Sequence, residues 1–246
     1  MDSMQPPSSL PLDGQIALVT GGSRGIGRAI ALAFAQAGAR VAICSRTGGP
    51  ALDDTARDLA SLPRRPPDPT RHLADIADIT DPVQIARFAA RIRAHLGEPT
   101  CIVNNAGTVL RGRLDEQDPA DFRSVIDANF FGTWLVTREF LPAMRCARRG
   151  RIINIASISG RLGTPNLTAY CAAKHAVIGL TRALAEEVRP DGIQVNAICP
   201  GSVDTRMLTG SGFSPDMTPE DIARVALFLA ASAPSALTGA CLDVFG

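Results

Sequence analysis

Tyr170 and Lys174 lie four positions apart in the segment YCAAK. Helical residues at this spacing share a face, so a helix here places the lysine ammonium beside the tyrosine phenol. A free phenol titrates at about pH 10, and a neighbouring positive charge favours the phenolate and lowers that pKa. The pair predicts a tyrosine that exchanges a proton near neutral pH, although the same spacing also occurs on solvated helix surfaces.

A glycine-rich turn near the amino terminus predicts a nucleotide site. The apolar run IALVT at 16–20 predicts a short buried strand and continues into Gly21, Gly25 and Gly27, in the pattern Thr-Gly-x-x-x-Gly-x-Gly. An apolar-periodic segment from Arg28 to Ala37 follows and predicts a helix. Strand, glycine turn and helix in this order let the backbone approach a pyrophosphate at the helix N-terminus.

Two more apolar runs end in polar side chains. The run that begins at Cys101 ends in Asn104 and Asn105, and the run from Gly150 delivers Ser157. In an open parallel sheet the ligand lies at the carboxyl ends of the strands. We therefore expect the glycine turn, Asn105 and Ser157 to converge on one crevice.

From about Asp13 to Gly246 the chain resembles the short-chain dehydrogenase/reductase family, in its compact single-domain branch. The resemblance is carried by the glycine motif ending at Gly27, the NNAG element at 104–107, and Pro200-Gly201 followed by Thr205. It implies an α/β fold: a Rossmann-type, doubly wound parallel sheet of about seven strands with helices on both faces. The implied catalytic residues are Asn129, Ser157, Tyr170 and Lys174. The implied cofactor-binding residues are Gly21, Ser23, Arg24, Gly25, Ile26, Gly27, Ser45, Arg46, Asp78, Ile79, Asn105, Ala106, Gly107, Tyr170, Lys174, Pro200, Gly201, Val203 and Thr205.

The resemblance implies hydride transfer between a nicotinamide and a carbonyl or secondary alcohol. Tyr170 is the expected acid or base, Ser157 binds the substrate oxygen, and Lys174 lowers the tyrosine pKa and holds the ribose. Asn129 is expected to position a water that relays protons from Lys174. Ser159 competes for the serine role, but the interval from Ser157 to the tyrosine fits the family pattern better.

The end of the second predicted strand favours NADP(H) over NAD(H). NAD-binding relatives place an acidic residue there for the ribose hydroxyls, whereas this chain has Ser45 and Arg46. Arg46 can pair with a 2′-phosphate, and Arg24 in the glycine turn can supply a second guanidinium.

The strand and helix pattern predicts one domain. We predict an amino-terminal tail at 1–12, mobile around Pro6–Ser9, a catalytic domain at 13–246, a proline-rich surface loop at 63–69, and a helix over 169–188. Apolar runs predict strands near 16–20, 40–44, 71–76, 100–104, 150–156, 193–198 and 241–245. Strands that alternate with amphipathic helices indicate a parallel sheet covered on both faces.

Composition excludes several function classes. The 246 residues are 46% hydrophobic, enough for one sizeable core, and the net charge of +1 points to neither a nucleic acid nor a membrane surface as partner. No apolar run is long enough to span a membrane, and Met1–Pro11 has no leader pattern, so we expect a cytoplasmic protein.

No pattern of cysteines and histidines predicts a metal site. The cysteines, which we expect to be reduced core residues, are Cys44, Cys101, Cys146, Cys171, Cys199 and Cys241. His175 adjoins Lys174 but is expected to point away from the catalytic face.

One residue and one segment depart from the family pattern. Thr100 stands where relatives have an aspartate, and the substrate lid, about 205–218, is much shorter than is common. The short lid predicts an open site that accepts extended carbonyl substrates, including thioester-borne acyl chains, or a small substrate held by the catalytic residues and apolar neighbours such as Val109 and Leu162.

The leading hypothesis is an NADP(H)-dependent carbonyl reductase that resembles the 3-oxoacyl-[acyl-carrier-protein] reductases. Alternatives within the family are dehydrogenases of sugar alcohols, steroids or other secondary alcohols. An alternative of another class is a protein that senses NADP(H) without turnover, and the complete tetrad argues against it. The resemblance also implies a homotetramer or homodimer that packs the helix at 169–188 against its symmetry mate.

Overall fold

The computed structural model describes residues 10–62 and 72–246. In this part of the chain the strands are β1 (Ile16–Thr20), β2 (Arg40–Ser45), β3 (His72–Ile76), β4 (Cys101–Asn104), β5 (Gly150–Ile155), β6 (Ile193–Pro200) and β7 (Cys241–Val244). The main helices are α1 (Gly25–Gln36), α2 (Pro50–Ser61), α3 (Pro82–His95), α4 (Pro119–Ile126), α5 (Gly132–Ala147), α6 (Thr168–Val188) and α7 (Pro219–Ala231). Segments 1–9 and 63–71, which include the predicted mobile prolines and the proline-rich loop, lie outside the described residues.

The described strands form one parallel sheet in the order β3-β2-β1-β4-β5-β6-β7. This arrangement confirms the predicted doubly wound α/β fold. Both faces are covered, and β1 shows why its sequence is apolar throughout: Ala17 and Val19 pack into the core beneath α1, whereas Ile16 and Leu18 pack into the core beneath α3 and α5. From β1 the next strands are added towards one edge of the sheet, and from β4 they are added towards the other edge. A crevice therefore opens between β1 and β4 at their carboxyl ends.

The amino-terminal boundary of the domain lies earlier than predicted. Leu12, which we placed in the tail, is 2% exposed and belongs to the core packed around α1. Its backbone N–H donates to the Ala37 carbonyl at 2.8 Å. Burial of an apolar side chain and a backbone hydrogen bond both attach this residue to the domain.

Thr100 replaces the expected aspartate with hydrogen bonds of its own. Its hydroxyl accepts from the backbone N–H of Ile16 at 3.2 Å and donates to the side-chain oxygen of Gln15 at 2.5 Å. The start of β4 therefore stays tied to the start of β1, far from the crevice.

The expectation that all six cysteines are core residues is wrong for half of them. Cys44, Cys101 and Cys199 are buried in the sheet, and burial raises the pKa of each thiol. Cys146 is exposed because it lies on the outer face of α5, while Cys171 and Cys241 are partly exposed. All six are free thiols.

Candidate active site

The glycine turn between β1 and α1 has a backbone that only glycine adopts easily. Gly21 and Gly25 have φ values of +65° and +53°. A Cβ at Gly21 would lie 2.9 Å from Cα of Ala106, and one at Gly27 would lie 2.3 Å from the carbonyl oxygen of Gly21. Gly27 therefore packs beneath the turn, and among the predicted cofactor residues it does not line the crevice.

The loop after β4 holds this turn in place. The Thr20 hydroxyl accepts from the backbone N–H groups of Asn105 and Ala106 at 3.0 and 3.1 Å. The Asn105 amide donates to the carbonyls of Thr20 and Gly21 at 3.0 and 3.2 Å. Asn105 thus acts on the turn itself, in addition to lining the crevice.

The crevice above the turn fits a dinucleotide. It has a volume of about 920 Å³. No side chain caps the N-terminus of α1 and no acidic residue lies in its first turn, so its backbone N–H groups are available to an anion such as a diphosphate. The predicted residues that line it are Gly21, Ser23, Arg24, Gly25, Ile26, Ser45, Arg46, Asp78, Ile79, Asn105, Ala106, Gly107 and Thr205.

Two arginines at one end of the crevice keep their charge unpaired. Arg24 and Arg46 are exposed and form no ion pair with a carboxylate of the described chain, whereas Arg28 nearby is paired with Asp58 at 2.6 Å. The carboxylate of Asp78 accepts hydrogen bonds from the Thr80 backbone N–H and hydroxyl, so one of its oxygens already has partners within the protein. The end near Arg24 and Arg46 is therefore the one suited to a phosphate.

A second cavity, of about 650 Å³, continues from the crevice. The two share Ile26, Asn105, Gly107, Thr205 and Met207. Its predicted lining residues are Ser157, Tyr170, Lys174, Pro200, Gly201 and Val203. The structure thus brings Ser157, Tyr170 and Lys174 together at one cavity, although they come from the end of β5 and from α6.

Ser157 and Tyr170 form the polar floor of this second cavity. Ser157 accepts from the backbone N–H of Ser159 at 3.1 Å, and its side chain acts to lower the pKa of Tyr170. The Ser159 hydroxyl is bonded instead to that of Thr164 at 3.1 Å. This geometry favours Ser157 over Ser159 as the serine that faces the substrate.

Burial dominates the titration of the tyrosine and lysine. It raises the pKa of Tyr170 to about 12 and lowers that of Lys174 to about 8. Lys174 Nζ donates to the Ile155 carbonyl at 2.8 Å and lies 5.6 Å from the centre of the tyrosine ring. The expectation of a tyrosine that exchanges its proton near neutral pH is therefore wrong for the protein alone, because desolvation outweighs the neighbouring groups that lower the tyrosine pKa.

Asn129 lies in a π-helical turn, Asp127–Phe131, between α4 and α5. Such turns frequently mark functional sites. Its amide donates to the carbonyls of Thr108 and Val125 at 2.7 and 2.9 Å, and its buried Oδ1 has no partner. The structure gives no hydrogen bond between Asn129 and Lys174 in the described residues, so its relay role remains a prediction.

Sequence reasoning assigned no role to Met207 or Arg111, and both line the cavity. The Tyr170 hydroxyl donates to the Met207 sulfur at 3.9 Å, so the short lid reaches the tyrosine after all. Arg111 donates to the Met207 carbonyl at 2.6 Å. These contacts depend on loop conformation, and no spacing in the sequence signals them.

The composition of the chain contains a further signal of the site. The chain has one tyrosine and, among its 25 basic residues, one lysine, and these are Tyr170 and Lys174. In a chain that uses arginine for every other basic side chain, the single lysine marks a place where an arginine cannot serve.

Three further observations concern a histidine, metal ligands and helix length in the described residues. His175 is exposed on α6, and its Nδ1 lies 2.9 Å from the Cys171 carbonyl, off the catalytic face. Across 10–62 and 72–246 no cluster of histidine, cysteine, aspartate and glutamate is arranged to hold a metal ion. Within the same ranges, every helix is too short or too polar to cross a membrane.

Comparison with known proteins gives consistent matches over nearly the whole chain. The family model described as short chain dehydrogenase matches residues 15–212. The chain is 34% identical to 2-(S)-hydroxypropyl-CoM dehydrogenase 3 of Xanthobacter autotrophicus, over 96% of each protein. It is 33% identical to the 3-oxoacyl-[acyl-carrier-protein] reductase FabG of Thermotoga maritima, over 96% of this chain and 98% of the relative. A crystal structure of a short-chain type dehydrogenase/reductase from Mycobacterium marinum superposes with a TM-score of 0.88 at 31% identity, over 96% and 95% of the two chains.

Proposed function

The chain belongs to the short-chain dehydrogenase family, and on that premise we propose that it reduces a ketone or 3-oxoacyl-type carbonyl to a secondary alcohol with NADPH. Its membership makes it an oxidoreductase of carbonyls and alcohols that uses a nicotinamide cofactor. The observation that carries the proposal is the buried group of Ser157, Tyr170 and Lys174 beside the dinucleotide crevice. We take the 3-oxoacyl substrate from the name of the Thermotoga maritima relative.

The chain's own residues suit the reduction direction. At neutral pH the raised pKa keeps Tyr170 protonated, so its hydroxyl can donate a proton to the carbonyl oxygen. Ser157 supplies a second hydroxyl next to the tyrosine, which stabilises negative charge as it develops on that oxygen. The bound cofactor would supply the hydride.

Lys174 acts at the moment when the proton leaves Tyr170. With a pKa of about 8, its amine is mostly protonated at pH 7. The ammonium lies close to the tyrosine ring and would stabilise the phenolate more than the phenol. The stabilisation therefore favours the product state of the proton transfer, which is what a general acid requires.

The preference for NADPH rests on Arg24 and Arg46. Both line the crevice near Ser45 and lack an ion-pair partner in the described chain. A 2′-phosphate would provide that partner through charge-assisted hydrogen bonds. We include this preference in the proposal.

The proposal also includes a homodimer or homotetramer in the cytoplasm. Phe131 and Trp134 form an exposed stacked pair on the π-helical turn and on α5, and this turn packs against α6, the helix that we expect to pair with a second copy. Free thiols throughout suit a reducing compartment. Sedimentation velocity tests the assembly, and a monomer at assay concentration contradicts it.

Loss of cofactor absorbance in the presence of a carbonyl panel tests the reaction. The panel includes a 3-oxoacyl thioester, and NADPH and NADH are compared. We expect Tyr170→Phe to lower kcat by about 100-fold or more, the usual contribution of a positioned acid. Ser157→Ala should lower it strongly, whereas the matched control Ser159→Ala should retain most activity because its hydroxyl is bonded to Thr164.

Two outcomes contradict the proposal. Tight NADPH binding without turnover of any carbonyl or alcohol favours the non-catalytic sensor. Turnover that persists in Tyr170→Phe removes the tyrosine from the reaction.

A further inference from the structure

Arg111 lies at the mouth of the substrate cavity. Its exposed guanidinium lines the same cavity as Ser157 and Tyr170. It donates to the Met207 carbonyl at 2.6 Å, and the sulfur of Met207 lies 3.9 Å from the Tyr170 hydroxyl. Met207 therefore lies between the positive charge of Arg111 and the hydroxyl of Tyr170.

The protein does not neutralise this charge. Arg113, two positions further and also in the cavity lining, is paired with Asp115 at 3.0 Å and with Glu116 at 3.4 Å. Arg111 has no carboxylate partner in residues 10–62 or 72–246, and its bond to Met207 uses one of its five N–H groups. The other N–H groups have no acceptor in that part of the chain.

The positive charge of Arg111 acts on the phenol of Tyr170. It lowers the pKa of Tyr170, against the larger opposing effect of burial. Because Arg111 and Tyr170 line the same cavity and both contact Met207, one small molecule can contact both of them. Val109 and Leu167, which pack in the cluster that contains Tyr170, give the same cavity apolar surface.

We propose that the substrate carries an anionic group, a carboxylate or a phosphate, that Arg111 binds while the carbonyl lies at Ser157 and Tyr170. This proposal rests on the proposed function and names its substrate class. Guanidinium groups bind both oxyanions through pairs of N–H donors. Because Arg111 also holds the Met207 carbonyl, the bound anion would connect the substrate to the lid. Arg111 is thus a specificity-determining residue and takes no part in proton transfer.

Three substrates of matched length test the proposal: a straight-chain keto acid, the phosphate monoester of the corresponding keto alcohol, and the methyl ester of the keto acid. We expect wild type to favour at least one anionic substrate over the ester by about 10- to 100-fold in kcat/KM, the usual effect of a charged hydrogen bond. Arg111→Gln keeps an N–H donor for Met207 but loses the charge, so it should bring that ratio close to one. Arg87→Gln is the control: Arg87 is exposed on α3, donates to one backbone carbonyl, forms no ion pair in the described residues and lies outside the cavity, so this variant should keep the wild-type ratio.

The arms of the experiment separate the possible answers. A preference for the acid alone identifies a carboxylate, and one for the monoester alone identifies a phosphate. A wild-type ratio near one for both anions, or a ratio unchanged by Arg111→Gln, overturns the proposal. If no ketone is reduced at all, the proposed function fails, and calorimetry with the same three compounds decides the anion site. Binding of an anion to wild type and Arg87→Gln but not to Arg111→Gln supports the site, and equal binding to all three proteins overturns it.

Discussion

Replacing Lys174 with methionine should make the stability of this protein less dependent on pH. Lys174 is 4% exposed, and within the described residues it forms a hydrogen bond with the Ile155 carbonyl but no ion pair. Burial without a counter-charge lowers its pKa from 10.5 to about 8. Methionine has a similar length and no charge, so the variant removes the titration while filling the space.

The sign of the effect follows from the two pKa values. Above pH 10.5 the amine is neutral in the folded and the unfolded chain, and the titration has no effect on stability. Between pH 10.5 and pH 8 the unfolded chain binds a proton that the folded chain does not, so wild-type stability falls as the pH falls. Below pH 8 both forms are charged and the full loss is present, about 3 kcal/mol for this interval at about 1.4 kcal/mol per pH unit.

Urea unfolding of both proteins without nucleotide, between pH 7 and pH 10.5, measures this effect. We expect the free energy of unfolding of Lys174→Met minus that of wild type to be about 3 kcal/mol larger at neutral pH than at the alkaline end, so the variant gains relative stability as the pH falls. Loss of the bond to the Ile155 carbonyl adds a constant that does not change with pH, and every other titratable group is common to both proteins, so its effect cancels in the difference. A difference that stays constant across this range would refute the reasoning, because it would mean that Lys174 keeps its ordinary pKa inside the fold.

Three further results are expected from other parts of the site. Gly107→Ala places a Cβ 2.4 Å from Oδ1 of Asn129 and should cost about 1–3 kcal/mol in urea unfolding, as overpacking does, whereas Gly163→Ala has open space and should cost little. Arg46→Asp should lower kcat/KM for NADPH by about 10- to 100-fold with little loss for NADH, and equal losses for both cofactors would contradict the 2′-phosphate contact. The near-ultraviolet absorbance of tyrosinate reports Tyr170 alone, since the chain has one tyrosine, and should show a pKa of about 12 in the folded protein; half-ionisation near pH 10 would mean that the phenol is solvated.

The fold was predictable because its signals are local. Strands buried on both faces need continuous apolar runs, so IALVT and CIVN were recognisable, and the observed bounds of β1 agree with the prediction. The predicted helix at 169–188 begins one residue earlier, at Thr168. The comparisons confirm the family on which the remaining expectations were based.

The details of the site were less predictable because they depend on loops and on burial. Met207 lies far along the chain from Tyr170, and the contact between them requires a lid conformation that no periodicity encodes. The direction of the tyrosine pKa reverses the expectation because burial is a property of the whole fold, whereas the spacing to Lys174 is a property of one helix. Likewise, Cys146 lies on an apolar-looking segment but faces outward on α5.

The choice of lysine at 174 follows from the same balance of burial and charge. Among the described residues, Lys174 is the one Lys, Arg, Asp or Glu whose side chain is buried. A guanidinium stays charged at any physiological pH, so an arginine in this position would pay the whole desolvation penalty without relief. An amine can lower that penalty by giving up its proton, and its pKa of about 8 leaves it mostly charged at neutral pH. The site thus holds a positive charge next to Tyr170 at neutral pH, and the cost of burying that charge falls only as the pH rises above about 8.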